Sequence, residues 1–145
     1  EGWVDPLVPD RVRDGLAQVR WPGRLSEHLV DDRVVTLDCA HNLEAATALA
    51  AHLRTLGRRF NLLFSCLDDK PLAAMSELLS PLVGEVAVCP LADPRAMPLA
   101  DLTAAFPRAV AAPTVAEALA ALPDPVLATG SVRLVGALIA ATEGA

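Results

Sequence analysis

With 145 residues, of which 53% are apolar, the chain can bury one ordinary domain core. Mean hydropathy is +0.40, but no apolar stretch nears the roughly 18 residues of a membrane span, which argues against a membrane protein. Twelve Lys plus Arg against eighteen Asp plus Glu leave a net charge of −6; nucleic acid is thereby disfavoured as a partner, and an anionic small molecule needs a local basic site.

Three cysteines without a secretory leader pattern fit a reduced, cytoplasmic protein. The chain opens on Glu1 rather than Met, and is read as a piece of a longer polypeptide. Aromatic residues are only 3% of the chain, with no Tyr. The core must therefore be thin layers of Ala, Val and Leu, which suits helices lying on a sheet.

Pro9 to Val19 alternates apolar and charged positions as a short helix does, and Trp21-Pro22-Gly23-Arg24 breaks it, so residues 1–20 read as a helix and linker. From Arg33, Val34-Val35-Thr36-Leu37 is a β-branched run short enough for a buried strand, ending at Asp38. Asn42 then caps a helix on which Ala46, Leu49, Leu53 and Leu56 recur until Gly57. The pattern returns with a strand at Phe60 to Cys66, a polar turn at Asp68-Asp69-Lys70, and Pro71 as first helical residue before Leu72, Met75 and Leu79. Glu85 to Cys89 predicts a third strand, Pro90 to Pro98 a loop and Leu99 to Phe106 a short helix. Val110 begins a weak strand. Thr114 caps a helix through Leu122, and Pro125 to Thr129 is a strand running through Gly130-Ser131 into a last helix, Val132 to Ala141. Such alternation predicts an α/β fold, a Rossmann-like three-layer sandwich with a mainly parallel sheet and helices on both faces.

Chemistry concentrates in Asp38-Cys39-Ala40-His41-Asn42, at a strand-to-helix turn where α/β domains hold ligands. A carboxylate there can accept from ribose hydroxyls, and an imidazole at a helix N-terminus can face an anion. The plain alternative is a turn, a cap and a covering imidazole. Asp68, Asp69, Lys70 and Arg95 are either solvated turn residues or groups at a domain interface, and Ser131 is explained equally by a helix cap. Cys39, Cys66 and Cys89 each fall near the end of a predicted strand, which could bring three sulfurs to one edge; without a Cys-x-x-Cys pair they are read as small apolar residues, and no metal site is assigned. His28 and His52 read as structural or exposed.

The ordered set Trp21-Pro22-Gly23-Arg24-Leu25, Asp38 to Asn42, Asp69-Lys70, Pro94-Arg95-Ala96 and Thr129-Gly130-Ser131 with Leu134-Val135-Gly136 resembles the C-terminal domain of the folylpolyglutamate and dihydrofolate synthases of the Mur ligase superfamily. The resemblance runs from about Val19 to Ile139, within a domain taken as 21–145. It implies ATP-dependent ligation of L-glutamate to a dihydropteroate or folate carboxylate through an acyl phosphate. It also implies that Arg24, Asp38, His41 and Asn42 meet ATP, with His41 catalytic near the phosphates, and that Ser131 meets glutamate. Asp69, Lys70 and Arg95 would face an N-terminal P-loop domain of the same polypeptide. That domain would hold most of the Mg, because no phosphate-cradling Gly-rich loop occurs here, and the isolated piece would be inactive.

Cys39 stands where Gly is usual, which would strain a left-handed backbone there; Arg133 stands where an aromatic is usual, and Pro71 where an acid often follows Asp-Lys. Two other readings remain open. One is another amide ligase of the same superfamily; the other is a Rossmann-like binding module without catalysis, for which a dinucleotide fingerprint is missing.

Overall fold

The computed structural model describes residues 9–19 and 21–143. Six strands, β1 (Arg24–Val30), β2 (Arg33–Asp38), β3 (Asn61–Phe64), β4 (Val86–Val88), β5 (Val110–Ala111) and β6 (Val126–Thr129), form one sheet in the order β1-β2-β6-β3-β4-β5. Five are mutually parallel, and β1 alone runs antiparallel, paired to β2. The helices are α1 (Pro9–Gln18), α2 (Leu43–Thr55), α3 (Leu72–Leu79), α4 (Leu99–Ala105), α5 (Val115–Ala120) and α6 (Val132–Glu143). None of them is long and apolar enough to cross a membrane.

Strand alternation makes the two core layers. Leu62, Phe64, Val88 and Leu127 pack on one face with Ala46, Leu49 and Leu53 of α2, Met75 and Leu79 of α3, and Leu102 of α4. Val35, Leu37, Leu63, Ala87, Val126 and Ala128 pack on the other with α5 and α6 through Ala118, Leu119, Leu134, Val135 and Leu138. The expected mainly parallel α/β sandwich is the observed one. Each buried Leu or Val adds about 1.5–3 kcal/mol of transfer free energy, and Ala46, Ala87 and Ala128, all fully buried, let helices approach the sheet closely.

Residues 24–30, for which no element was expected, form a strand. Arg24 opens β1, which forms a hairpin with β2. Its two-residue turn is Asp31-Asp32, between the paired Val30 and Arg33. Both aspartates have positive φ, 48° and 60°, the backbone of a primed turn matched to strand twist; a short polar side chain tolerates it. Leu25 also has positive φ, 49°, at a register shift between Arg24 and Ser26 that makes a bulge.

Helix boundaries agree at the caps. Asn42 Oδ1 accepts from the Ala45 N–H at 2.8 Å, and Thr114 Oγ1 accepts from the Glu117 N–H at 3.2 Å. Two details depart from expectation. Pro71 precedes α3 at its N-cap instead of opening it, and α2 ends on an extended Leu56, not on a left-handed Gly57.

At the far end of the sheet, Arg33 ties the hairpin to the end of α5. Its guanidinium donates to the carbonyls of Leu119 at 2.8 Å and Leu122 at 2.7 Å, and pairs with Asp124 at 2.8 Å.

Candidate nucleotide and amino-acid site

The loops after β2, β6, β3 and β4 all emerge at the same, C-terminal edge of the parallel sheet. Adjacent strands β2 and β6 send their chains to helices on opposite faces, α2 and α6. That divergence opens a crevice at a topological switch point.

Asp38 ends β2, opposite Arg24 in the register. Its Oδ1 accepts the Ala40 N–H at 2.9 Å and its Oδ2 the Leu25 N–H at 3.2 Å. The bulge at Leu25 aims that N–H sideways, so one carboxylate fastens the hairpin to the β2–α2 turn. Burial pushes the Asp38 carboxyl above its ordinary value, against the pull of the two N–H donors and the nearby charges of Arg24 and His52. Each oxygen keeps a lone pair for a further donor.

Position 39 does not have a positive φ, so cysteine is accommodated there without the expected strain. Glycine is needed across from it instead. Gly23 has φ 75°, its carbonyl accepts the Cys39 N–H at 2.7 Å, and a Cβ on it would come within 2.6 Å of Cys39 Sγ and 2.7 Å of Val135. Burial, with Asp38 beside it, raises the Cys39 thiol.

His41 is half-buried, with Nδ1 2.8 Å from the Cys39 carbonyl. A carbonyl only accepts, so Nδ1 carries the proton; Nε2, without a partner among the described residues, is the nitrogen left for a ligand. Asn42 Oδ1 is used by its cap, leaving the amide NH2 as a donor. Arg24 is exposed, and its guanidinium makes no hydrogen bond among the described residues. It borders a cleft of about 740 Å³ that is also lined by Trp21, His28, His52, Arg58 and Phe60; Asp38, His41 and Ser131 lie outside that lining. His52 is exposed, and His28 is half-buried with its Nε2 2.9 Å from Ser26 Oγ.

The turn after β6 is fastened to the turn after β2. The Ala40 carbonyl accepts the Gly130 N–H at 3.0 Å and the Thr129 hydroxyl at 3.4 Å. Gly130 has φ 104°, and a Cβ there would collide with the Ser65 carbonyl. Ser131 is 3% exposed; its Oγ accepts the Arg133 N–H at 3.1 Å, as a cap does, and its own O–H remains free to donate.

Further along the edge, Lys70 Nζ pairs with Asp69 Oδ2 at 2.8 Å; this lysine hydrogen bond holds the Asp69 carboxyl below its ordinary value. The Asp68 N–H donates to the Arg95 carbonyl at 2.9 Å, and the Met97 N–H to the Cys66 carbonyl at 2.9 Å, so the loops after β3 and β4 are joined. The cysteines do not converge. Cys66 packs in one core layer and Cys89 in the other, and no cluster of three metal-ligating side chains occurs among the described residues.

One pair at this edge is not marked by any sequence pattern: Arg133 Nε lies 2.7 Å from Asp93 Oδ2, with the Asp93 side chain only 6% exposed. The sole hint in the sequence is the reading, carried by the family resemblance, that an aromatic is expected where Arg133 stands.

Residues 23–137 match the family described as "Mur ligase, glutamate ligase domain". Folylpolyglutamate synthase of Lacticaseibacillus casei is 34% identical over 140 residues, covering 92% of this chain and 32% of that protein. E. coli FolC in complex with DHPP and ADP superposes with a TM-score of 0.83 at 26% identity, over 96% of this chain and 35% of that one. A bifunctional folylpolyglutamate synthase/dihydrofolate synthase with Mn, AMPPNP and L-glutamate bound gives a TM-score of 0.80 at 28% identity, over 95% of this chain and 36% of that one. The chain thus spans about a third of the length of the relatives it matches.

Proposed function

Since the chain belongs to the family of Mur ligase glutamate ligase domains, we propose that it works as the amino-acid-ligating domain of an ATP-dependent folate ligase. In this reading it closes over ATP against a P-loop domain elsewhere in the same polypeptide. L-glutamate is joined to a dihydropteroate or folate carboxylate. A carboxylate is a poor electrophile, so it is first phosphorylated; the glutamate amine then attacks the acyl carbon, the new C–N bond forms and phosphate leaves.

The residues have distinct tasks. Arg24 and the Nε2 side of His41 face phosphate charge; a guanidinium suits this because it is always charged and donates in a fork. Asp38, with a lone pair left on each oxygen, accepts from ribose hydroxyls, and the Asn42 amide donates nearby. The Ser131 hydroxyl donates to a glutamate carboxylate. Asp69, Lys70 and Arg95 meet the other domain, which carries most of the Mg ligands. When bound, that cation offsets phosphate charge; no metal-ligating cluster occurs among the described residues here.

The observation that supports the reading is the fastening of the Asp38–Asn42 turn to both the bulge after Arg24 and the Gly130–Ser131 turn, all at one edge of the sheet. The test uses the polypeptide that joins this chain to its P-loop domain. Asp38→Ala and His41→Ala should each lower kcat/KM for ATP by about 10-fold or more, the worth of a charged hydrogen bond, while His52→Ala stays near wild type. Equal losses for all three would overturn the site, and glutamate incorporation by the isolated chain would overturn the division of labour.

A further inference from the structure

Asp93 is a junction. Its Oδ1 accepts the Arg95 N–H at 2.8 Å, and its Oδ2 meets Arg133 Nε at 2.7 Å. Two bonds further on, the Arg133 N–H donates to Ser131 Oγ at 3.1 Å, and the Arg95 carbonyl holds the Asp68 N–H at 2.9 Å. Strand β3 lies between β6 and β4 in the sheet, so the Asp93–Arg133 pair spans the end of β3 and joins the turn bearing Ser131 to the loop bearing Arg95. The Asp93 side chain is 6% exposed and that of Arg133 60%. A carboxylate so enclosed is costly without its counter-charge, and loss of that charge forces the loop to move.

We propose that Asp93 and Arg133 are positioning residues for the amino-acid end of the site: together they fix the Ser131 hydroxyl and the β4–α4 loop in one arrangement that receives the carboxylate of the incoming acidic amino acid. The proposal rests on the ligase reading above. The Arg133 N–H holds Ser131 Oγ as an acceptor, which turns the Ser131 proton outward as a donor. The side chain of the same residue, anchored on Asp93, stops the first turn of α6 from shifting along the edge. Charge is the requirement at position 133, and a cation of other shape can meet part of it.

The experiment measures KM for glutamate and for ATP, with thermal melting, in the two-domain polypeptide carrying Ser131→Ala, Arg133→Ala, Arg133→Lys, Asp93→Asn or the double change D93N/R133A. Arg133→Ala and Asp93→Asn should each raise the glutamate KM by roughly 10-fold, as a misplaced contact does, with the ATP KM within about twofold. The double variant should be no worse than the worse single one, because both break one link. Arg133→Lys should recover most of the loss. Parallel rises in both KM values, or additive losses in the double variant, would overturn the proposal. If Arg133→Ala fails to fold, the Lys variant and Arg133→Gln decide, with Gln expected to behave as Ala should. A Ser131→Ala variant without effect on the glutamate KM would sink the ligase reading and this proposal together; an effect there with none at Arg133 would sink this proposal alone.

Discussion

Asp38 sits where structure and chemistry compete for one carboxylate. It accepts N–H groups from Leu25 and Ala40, and burial still raises its pKa. A carboxyl whose folded pKa is raised favours folding below its ordinary value, and that contribution is lost as pH rises through the folded value. Asp38→Asn should therefore gain stability relative to wild type as pH increases across that window. A melting series from pH 3 to 7 checks it: the gap between the two melting temperatures should move in the variant's favour. An unchanged gap would mean that the carboxyl titrates alike in folded and unfolded chains. The sequence makes the Asp, His and Asn readable as a group, and the Asn42 cap follows from its position alone. The Leu25 bond to Asp38 was hidden, because it needs a bulge made by a non-glycine residue at positive φ. Cys39 shows the opposite error: the departure from glycine is visible, but the room that it needs comes from Gly23, sixteen positions earlier.

Among the elements, the parallel strands and their helices were legible because apolar runs of four to seven residues are followed by cap residues and helical spacing. Strand β1 was not. Arg24–Val30 mixes charged, polar and apolar side chains, as an edge strand can, and its turn is Asp31-Asp32 where a glycine would have signalled a hairpin. What secures this hairpin at its far end is Arg33, which satisfies the carbonyls of Leu119, in the last turn of α5, and Leu122, just beyond it, and favours the negative end of that helix. Arg33→Met should cost about 1–3 kcal/mol, a drop of roughly 2–4 °C in Tm per kcal/mol for a domain of this size. Glu27→Ala, which removes an exposed pair with Arg58, should cost about 0–1 kcal/mol. Chemical denaturation of both variants gives the comparison; equal losses would show that the Arg33 contacts add nothing beyond a surface pair.

On the scale of the whole molecule, the two core layers divide the buried thiols. Burial pushes Cys66 up to about 12 and Cys89 up to about 11, so neither is a thiolate near neutral pH. With a thiol-alkylating reagent at pH 8, Cys39, which is half-buried, should label first, while Cys66 and Cys89 should label together at the rate of global unfolding. Mass spectrometry of the labelled chain reads this out. Separate rates for Cys66 and Cys89 would mean that one layer opens without the other. The sequence foretold two helix-covered faces, but not which strand would lie in the middle, since strand order depends on long-range pairing that no local pattern encodes. It also gave no sign of the Asp93–Arg133 link, which joins residues forty positions apart.

The strand that fills the middle of the sheet is the last of these six in chain order. Until residues 126–129 are available, β2 and β3 each present an open edge where β6 belongs, and unpaired edges invite association with other chains. A ribosome-bound chain halted near residue 120 therefore lacks the keystone and not a trim, and the Ala40 carbonyl has no Gly130 to receive. Closure of the sheet edge that carries the Asp38–Asn42 turn should thus arrive abruptly, once β6 has emerged, rather than accrue as each strand-helix unit does.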